Sequence, residues 1–117
     1  MKYIDHGNGG PAAIMHLKDG HLPQLQPGCV LIDVAYAGVN RPDIFQRAGA
    51  YPPPPDASPI LGLEVSGKIA AKANDVENWK VGDVVCALAP GGGYAEYCLA
   101  PASHCLPVPK NLSLAEA

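Results

Sequence analysis

Residues 29–40, "CVLIDVAYAGVN", alternate in hydropathy: Val30, Ile32, Val34 and Tyr36 fall on one face, Leu31, Asp33 and Ala35 on the other. A period of two with one wetter side predicts a half-buried β-strand, and Pro27-Gly28 ahead of it is a turn signal. A second strand is expected through "LEVSGKIAAKA", where Gly67 marks a bulge or a close approach of another backbone. "DVVCALA", introduced by the turn "WKVGD", gives a third, and the aromatic-rich residues after Gly91-Gly92-Gly93 give a fourth. "HCLPVP" reads as a short edge strand limited by its prolines. Near the start, "KYIDH" and "AAIMHLK" read as a hairpin across "GNGGP".

One segment breaks this rhythm. In "NRPDIFQRAG", Asn40 can cap a helix, Pro42 suits its first turn, Asp43 sits near its positive end and Gly49 can end it. The following "AYPPPPDASP" lacks the donors for regular structure, and predicts a stiff, polyproline-like loop holding Tyr51 in place. At the other end, Ser113 followed by Glu116 matches a capping box that would begin a helix one residue before Ala117, which reads either as a chain cut at a domain boundary or as a frayed tail that contains serine and glutamate by chance.

Composition narrows the class. The 13 glycines and 13 prolines among 117 residues sit between apolar, β-branched segments, a pattern of many short strands and tight turns in one all-β domain. A net charge of −3 without a basic run offers nothing to a nucleic acid backbone. No apolar run approaches membrane-spanning length, and "MKYIDHGNGG" lacks a signal peptide's apolar core, so a cytoplasmic location is expected. Cys29, Cys86, Cys98 and Cys105 are too scattered for a zinc or redox motif and read as reduced thiols on strands, and the four histidines form no ligand pattern.

The triple glycine invites comparison with a phosphate-cradling loop. A dinucleotide fingerprint needs a third glycine where Glu96 stands, and a helix where an aromatic strand pattern follows. The glycines therefore read as a turn between strands, with a plain hairpin as the expectation.

Taken in order, "GCVLIDVAYAGVNRPDIFQRAGAYPPPP", "ILGLEVSGKI", "WKVGDVVCALAPGGGYAEYCLAP" and "VPKNLSLAEA" resemble the N-terminal part of zinc-free quinone oxidoreductases of the medium-chain dehydrogenase/reductase superfamily. The similarity is to the branch of zeta-crystallin and the tumour-suppressor-induced enzymes. It implies a partly open, co-chaperonin-like (GroES-like) β-barrel over residues 1–110. Residues 111–117 would start the connection to a Rossmann domain that binds NADPH, which is absent from these residues. Zinc members carry cysteine at the position of Asn40 and histidine at that of Leu63, so the resemblance implies chemistry without zinc.

The site residues implied are Tyr51, Asn40, Asp43 and Leu63. Tyr51 either donates its phenol to a quinone or enone oxygen or packs against its loop with the hydroxyl in water. Asn40 caps the helix, and either does only that or also uses its amide from a cleft position to hold the nicotinamide ribose or substrate carbonyl, oriented by Asp43. Leu63 would line the cleft, and Glu64 would serve as acceptor for a buried partner in preference to acting as a base. The leading expectation is thus the substrate-side domain of an NADPH-dependent quinone or enone reductase, without tight NADPH binding or activity of its own. A stand-alone assembly module built on a co-chaperonin-like barrel is the alternative. Self-association through a bare apolar cleft face is a third reading.

Overall fold

The computed structural model describes residues 1–117. Its elements are β1 (Lys2–Asp5), β2 (His16–Asp19), β3 (Cys29–Ala37), α1 (Arg41–Ala48), β4 (Glu64–Lys72), β5 (Val84–Leu88), β6 (Tyr97–Pro101) and β7 (Cys105–Pro107). β1 and β2 form a two-stranded ladder, and the rest an antiparallel sheet in the order β6-β3-β4-β5-β7. Neither sheet closes, so the molecule is the mainly β, partly open barrel that the sequence implies.

Alternation builds the core. Val30 and Ile32 of β3, Ile69 of β4 and Val85 of β5 are almost fully buried, together with Cys98 and Ala100 of β6. Each large aliphatic side chain so buried contributes about 1.5–3 kcal/mol relative to exposure. The pattern fades at the end of β3: the register with β4 shifts between Val34 and Tyr36, and Tyr36 is 54% exposed. Gly67 sits opposite Val34, where an added Cβ would strike the carbonyl of Asp33, so the expected close approach is real. The N-terminal hairpin also forms, but its second arm begins only at His16, because Ala12–Ile14 coil into a 3-10 turn.

The hairpin expected at the triple glycine does not occur. β5 and β6 are not neighbours: β3 and β4 lie between them, and residues 89–96 cross from one to the other as a strap. The strap is paired laterally with the loop before β4. Gly92 N–H donates to the Ile60 carbonyl (2.8 Å), Gly93 N–H to Gly62 (3.0 Å) and Tyr94 N–H to Leu61 (2.8 Å). Small residues let the two backbones touch, and all three glycines are buried. Turn chemistry is a local signal and carries no information about which strands a turn separates.

Candidate functional site

α1 carries or borders most of the predicted site, and its polarity is inverted. It buries Asp43 and Gln46 while exposing Ile44 and Phe45. It is fastened by polar side chains, each to a different element. Asp43 meets Tyr94 of the strap, Gln46 Nε2 donates to the Pro59 carbonyl (3.3 Å), and Arg47 Nε donates to the Gly10 carbonyl (3.1 Å). Gly10 N–H returns a bond to the Arg47 carbonyl (2.9 Å). The helix ends as predicted, with Gly49 in left-handed backbone.

Asn40 stands at the N-cap in extended backbone and forms a capping box with Asp43, in which the Asp43 half is the firm one. Asn40 N–H donates to Asp43 Oδ2 at 2.9 Å, while Asp43 N–H donates to the Asn40 main-chain carbonyl at 3.0 Å. Asp43 is only 2% exposed. Its Oδ2 also accepts the Tyr94 hydroxyl at 2.7 Å, and its Oδ1 is buried without a partner. Burial, and then the neighbouring Asp43 carboxylate, push the Tyr94 phenol well above its ordinary range.

The other predicted residues are placed around this pair. Tyr51 is exposed, just past the end of α1 and before the proline run, beside a cavity of about 200 Å³ shared with Gln46, Gly49 and Pro59. Eight helical residues separate it from Asn40, on the order of 12 Å of backbone rise. The structure therefore joins Asn40 to Asp43 directly and keeps Tyr51 at the opposite end of the helix. Leu63 is half-buried at the entry to β4. Glu64 is not the acceptor for a buried partner that the sequence led us to expect. It is exposed, its side chain lies over Gly38, and its main-chain carbonyl accepts Gly38 N–H (3.1 Å). The buried acceptor is Asp43 instead.

Next to Gly38 and Glu64 runs an open groove of about 390 Å³, mostly apolar, lined by Tyr36, Leu88, Leu106 and Leu114 among others. Leu88 and Leu106 are each 65% exposed on it. The C-terminal turn occupies one end: buried Ser66 donates its hydroxyl to the Leu114 carbonyl, and the Ser113–Glu116 box is closed in both directions (3.0 and 3.3 Å). No helix is long and apolar enough to cross a membrane.

Two residues central to this arrangement escaped the sequence reading. In the sequence Tyr94 is one of the aromatics after the triple glycine and Ser66 one residue of the strand pattern of β4. Their partners lie 51 and 48 residues away, so no local spacing marks them.

The geometry of the strap bears on the triple glycine alone. The N–H groups of Gly92, Gly93 and Tyr94 are all spent on Ile60–Gly62, and a Cβ on Gly91 would lie 2.6 Å from the Ser58 carbonyl oxygen. The glycine space is filled by the chain's own backbone, so these residues do not fit a pyrophosphate. No group of three or more His, Cys, Asp or Glu residues is placed to hold a metal ion.

The family model of the alcohol dehydrogenase GroES-like domain matches residues 26–110. The probable quinone oxidoreductase of Schizosaccharomyces pombe is 35% identical over 106 residues, covering 90% of this chain and 32% of that protein. Mouse quinone oxidoreductase is 36% identical over the same length and shares. Among solved structures, a Pseudomonas syringae quinone oxidoreductase superposes with a TM-score of 0.89 at 27% identity, covering 99% of this chain and 36% of that one. A mycobacterial protein complexed with NADPH gives 0.85 at 32% identity, covering 97% and 35%. The chain spans about a third of the length of the curated relatives it matches, aligned with their N-terminal part. It belongs to the alcohol dehydrogenase GroES-like domain family, in the company of the quinone oxidoreductases.

Proposed function

We propose that this chain is the substrate-side domain of a zinc-independent, NADPH-dependent quinone or enone oxidoreductase. The observation that carries the reading is the filled glycine strap, whose N–H groups are spent on residues 60–62 and leave no backbone cradle there for a dinucleotide. One wall of a cleft is present, and the surface that would hold a dinucleotide lies outside these residues. The mycobacterial relative bound to NADPH supports the choice of cofactor. The open apolar groove is lined by none of Asn40, Tyr51 and Leu63, so the substrate class rests on the quinone oxidoreductases this chain resembles.

In this reading the chain supplies orientation and hydrogen bonds, with the hydride coming from a dinucleotide held elsewhere. Tyr51 donates its phenol to a substrate oxygen on which negative charge develops. Asn40, anchored by Asp43, presents its amide to a carbonyl, and Leu63 supplies apolar contact to the ring. The helix keeps the two donors apart, an arrangement that suits a conjugated ring with an oxygen at each end.

The test is a titration of ¹⁵N-labelled chain with 1,4-naphthoquinone and, separately, NADPH, followed by NMR. Shifts should gather at Asn40, Tyr51 and Leu63 with the quinone, and NADPH should produce none at millimolar concentration. Stoichiometric NADPH binding by calorimetry, or quinone shifts confined to the β1–β2 hairpin, would defeat the proposal. The exposure of Leu88 and Leu106 favours a second reading, self-association through the groove rim. Sedimentation of wild type against Leu88→Ser/Leu106→Ser distinguishes it: a dimer or larger ring that dissociates in the variant would establish it.

A further inference from the structure

We infer that Tyr94 is the positioning residue of this site, acting through Asp43 to hold Asn40 at a fixed distance from Leu63. The inference rests on the proposed function for what the spacing serves, but not for the spacing itself. Tyr94 is clamped at both of its backbone groups: its N–H donates to the Leu61 carbonyl and its carbonyl accepts Ile4 N–H, each at 2.8 Å. The platform that fixes it is the same loop that leads, two residues later, to Leu63. From this platform the phenol reaches across to Asp43 Oδ2 at 2.7 Å, and the same oxygen takes Asn40 N–H at 2.9 Å.

The orphaned Oδ1 of Asp43 makes the arrangement dependent on Tyr94. A carboxylate 2% exposed, with one oxygen unpartnered, is held in its rotamer by these two donors. Removing the hydroxyl leaves one donor, which belongs to the residue being positioned and cannot serve as an independent anchor. The carboxylate is then free to turn toward water and the capping box slackens. Asn40 moves relative to Leu63. A ligand that accepts from Asn40 and touches Leu63 would sense that movement.

The experiment compares the wild-type 117-residue chain with Y94F, D43N and V76A, each confirmed folded at 25 °C by circular dichroism. V76A truncates a buried core residue that is not part of the site and controls for lowered stability. In Y94F and D43N the Asn40 backbone amide should move upfield and exchange with solvent about tenfold faster, the factor expected for losing one net hydrogen bond. V76A should leave both unchanged. The affinity for 1,4-naphthoquinone should fall severalfold in Y94F and not in V76A. An Asn40 amide in Y94F that matches wild type overturns the inference, and so does an equal loss of quinone affinity in V76A. If wild type shows no quinone binding while Asn40 still responds to Y94F, the functional reading fails and the positioning stands. Tyr94→Met, which also lacks the hydroxyl and leaves Asp43 intact, supplies the same measurement should Y94F fail to fold.

Discussion

Replacing Gly62 with alanine should be among the most damaging single-methyl changes in the molecule, for two separable reasons. Gly62 has φ +105°, a region that L-residues avoid, and its added Cβ would lie 2.6–2.7 Å from Tyr94 N, Gly93 Cα and Tyr94 Cδ1. Gly28→Ala isolates the first effect, since Gly28 has φ +74° and nothing within 4 Å of its Cβ position. Gly91→Ala isolates the second, since its φ lies outside the positive region while its Cβ meets the Ser58 carbonyl oxygen at 2.6 Å. The backbone effect should cost on the order of 1–2 kcal/mol. The steric effect should cost about 1–3 kcal/mol, because neither backbone can yield without breaking the strap's hydrogen bonds. Gly62→Ala combines them at about 2–5 kcal/mol, a large share of a total stability on the order of 5–15 kcal/mol. Urea unfolding followed by Trp79 fluorescence reads this directly. With a slope of about 1–3 kcal/mol per molar, the midpoint should fall by roughly 0.7 molar or more for Gly62→Ala and by less for each control. A Gly62→Ala midpoint no lower than that of Gly28→Ala would mean that the strap and the 60–62 loop are not in close contact. The claim that the chain's own backbone fills the glycine space would then fall.

Thiol reactivity gives a second check: Cys29 and Cys86 are half-buried, whereas Cys98 and Cys105 lie in the core. Burial pushes Cys98 up to about 12 and Cys105 up to about 11. An aromatic disulfide reagent at pH 8 should therefore titrate two thiols in the native chain and four in denaturant, and four fast thiols in the native chain would contradict the packing. Because both pKa values rise on folding, the stability they lend is complete below the ordinary thiol value of 9.0 and is lost as pH climbs through 11 to 12. Tyr94 acts in the same sense: its neutral phenol supports the fold below pH 10.0, and that support falls away at higher pH. Ultraviolet titration should show one phenol ionising late, and Y94F should remove it. Finally, Ser66→Ala should cost about 1 kcal/mol and release the C-terminal turn, read as faster trimming by carboxypeptidase. Trimming at the wild-type rate would show that the Leu114 contact does not hold the turn.

What the sequence made legible was local. The bounds of α1 follow from Asn40, Pro42, Asp43 and Gly49, all within ten residues, and each occupies its predicted role. The alternation through Val30 and Ile32 located the central strand. What stayed hidden was decided by pairings across the chain. The "GGG" stretch has hairpin chemistry, yet it crosses over two strands because β3 and β4 insert between its neighbours. Ile44 and Phe45 are the large apolar residues of α1, yet it is Asp43 and Gln46 that turn inward. The reason is that α1 packs against the strap and two loops, and loops present carbonyls and a phenol where strands would present alkyl groups. A helix facing such partners gains more by satisfying them with polar side chains than by burying apolar ones, since an unpaired buried carbonyl or hydroxyl costs about 1–3 kcal/mol. Exposed Ile44 and Phe45 then follow without any appeal to function. The same logic distinguishes Asp43 from Glu64, which the sequence could not separate. Glu64 begins a strand whose neighbours satisfy one another through the backbone, so its carboxylate is left in solvent. Asp43 faces a loop that supplies a donor, and so it is the acid on which the geometry of the site depends.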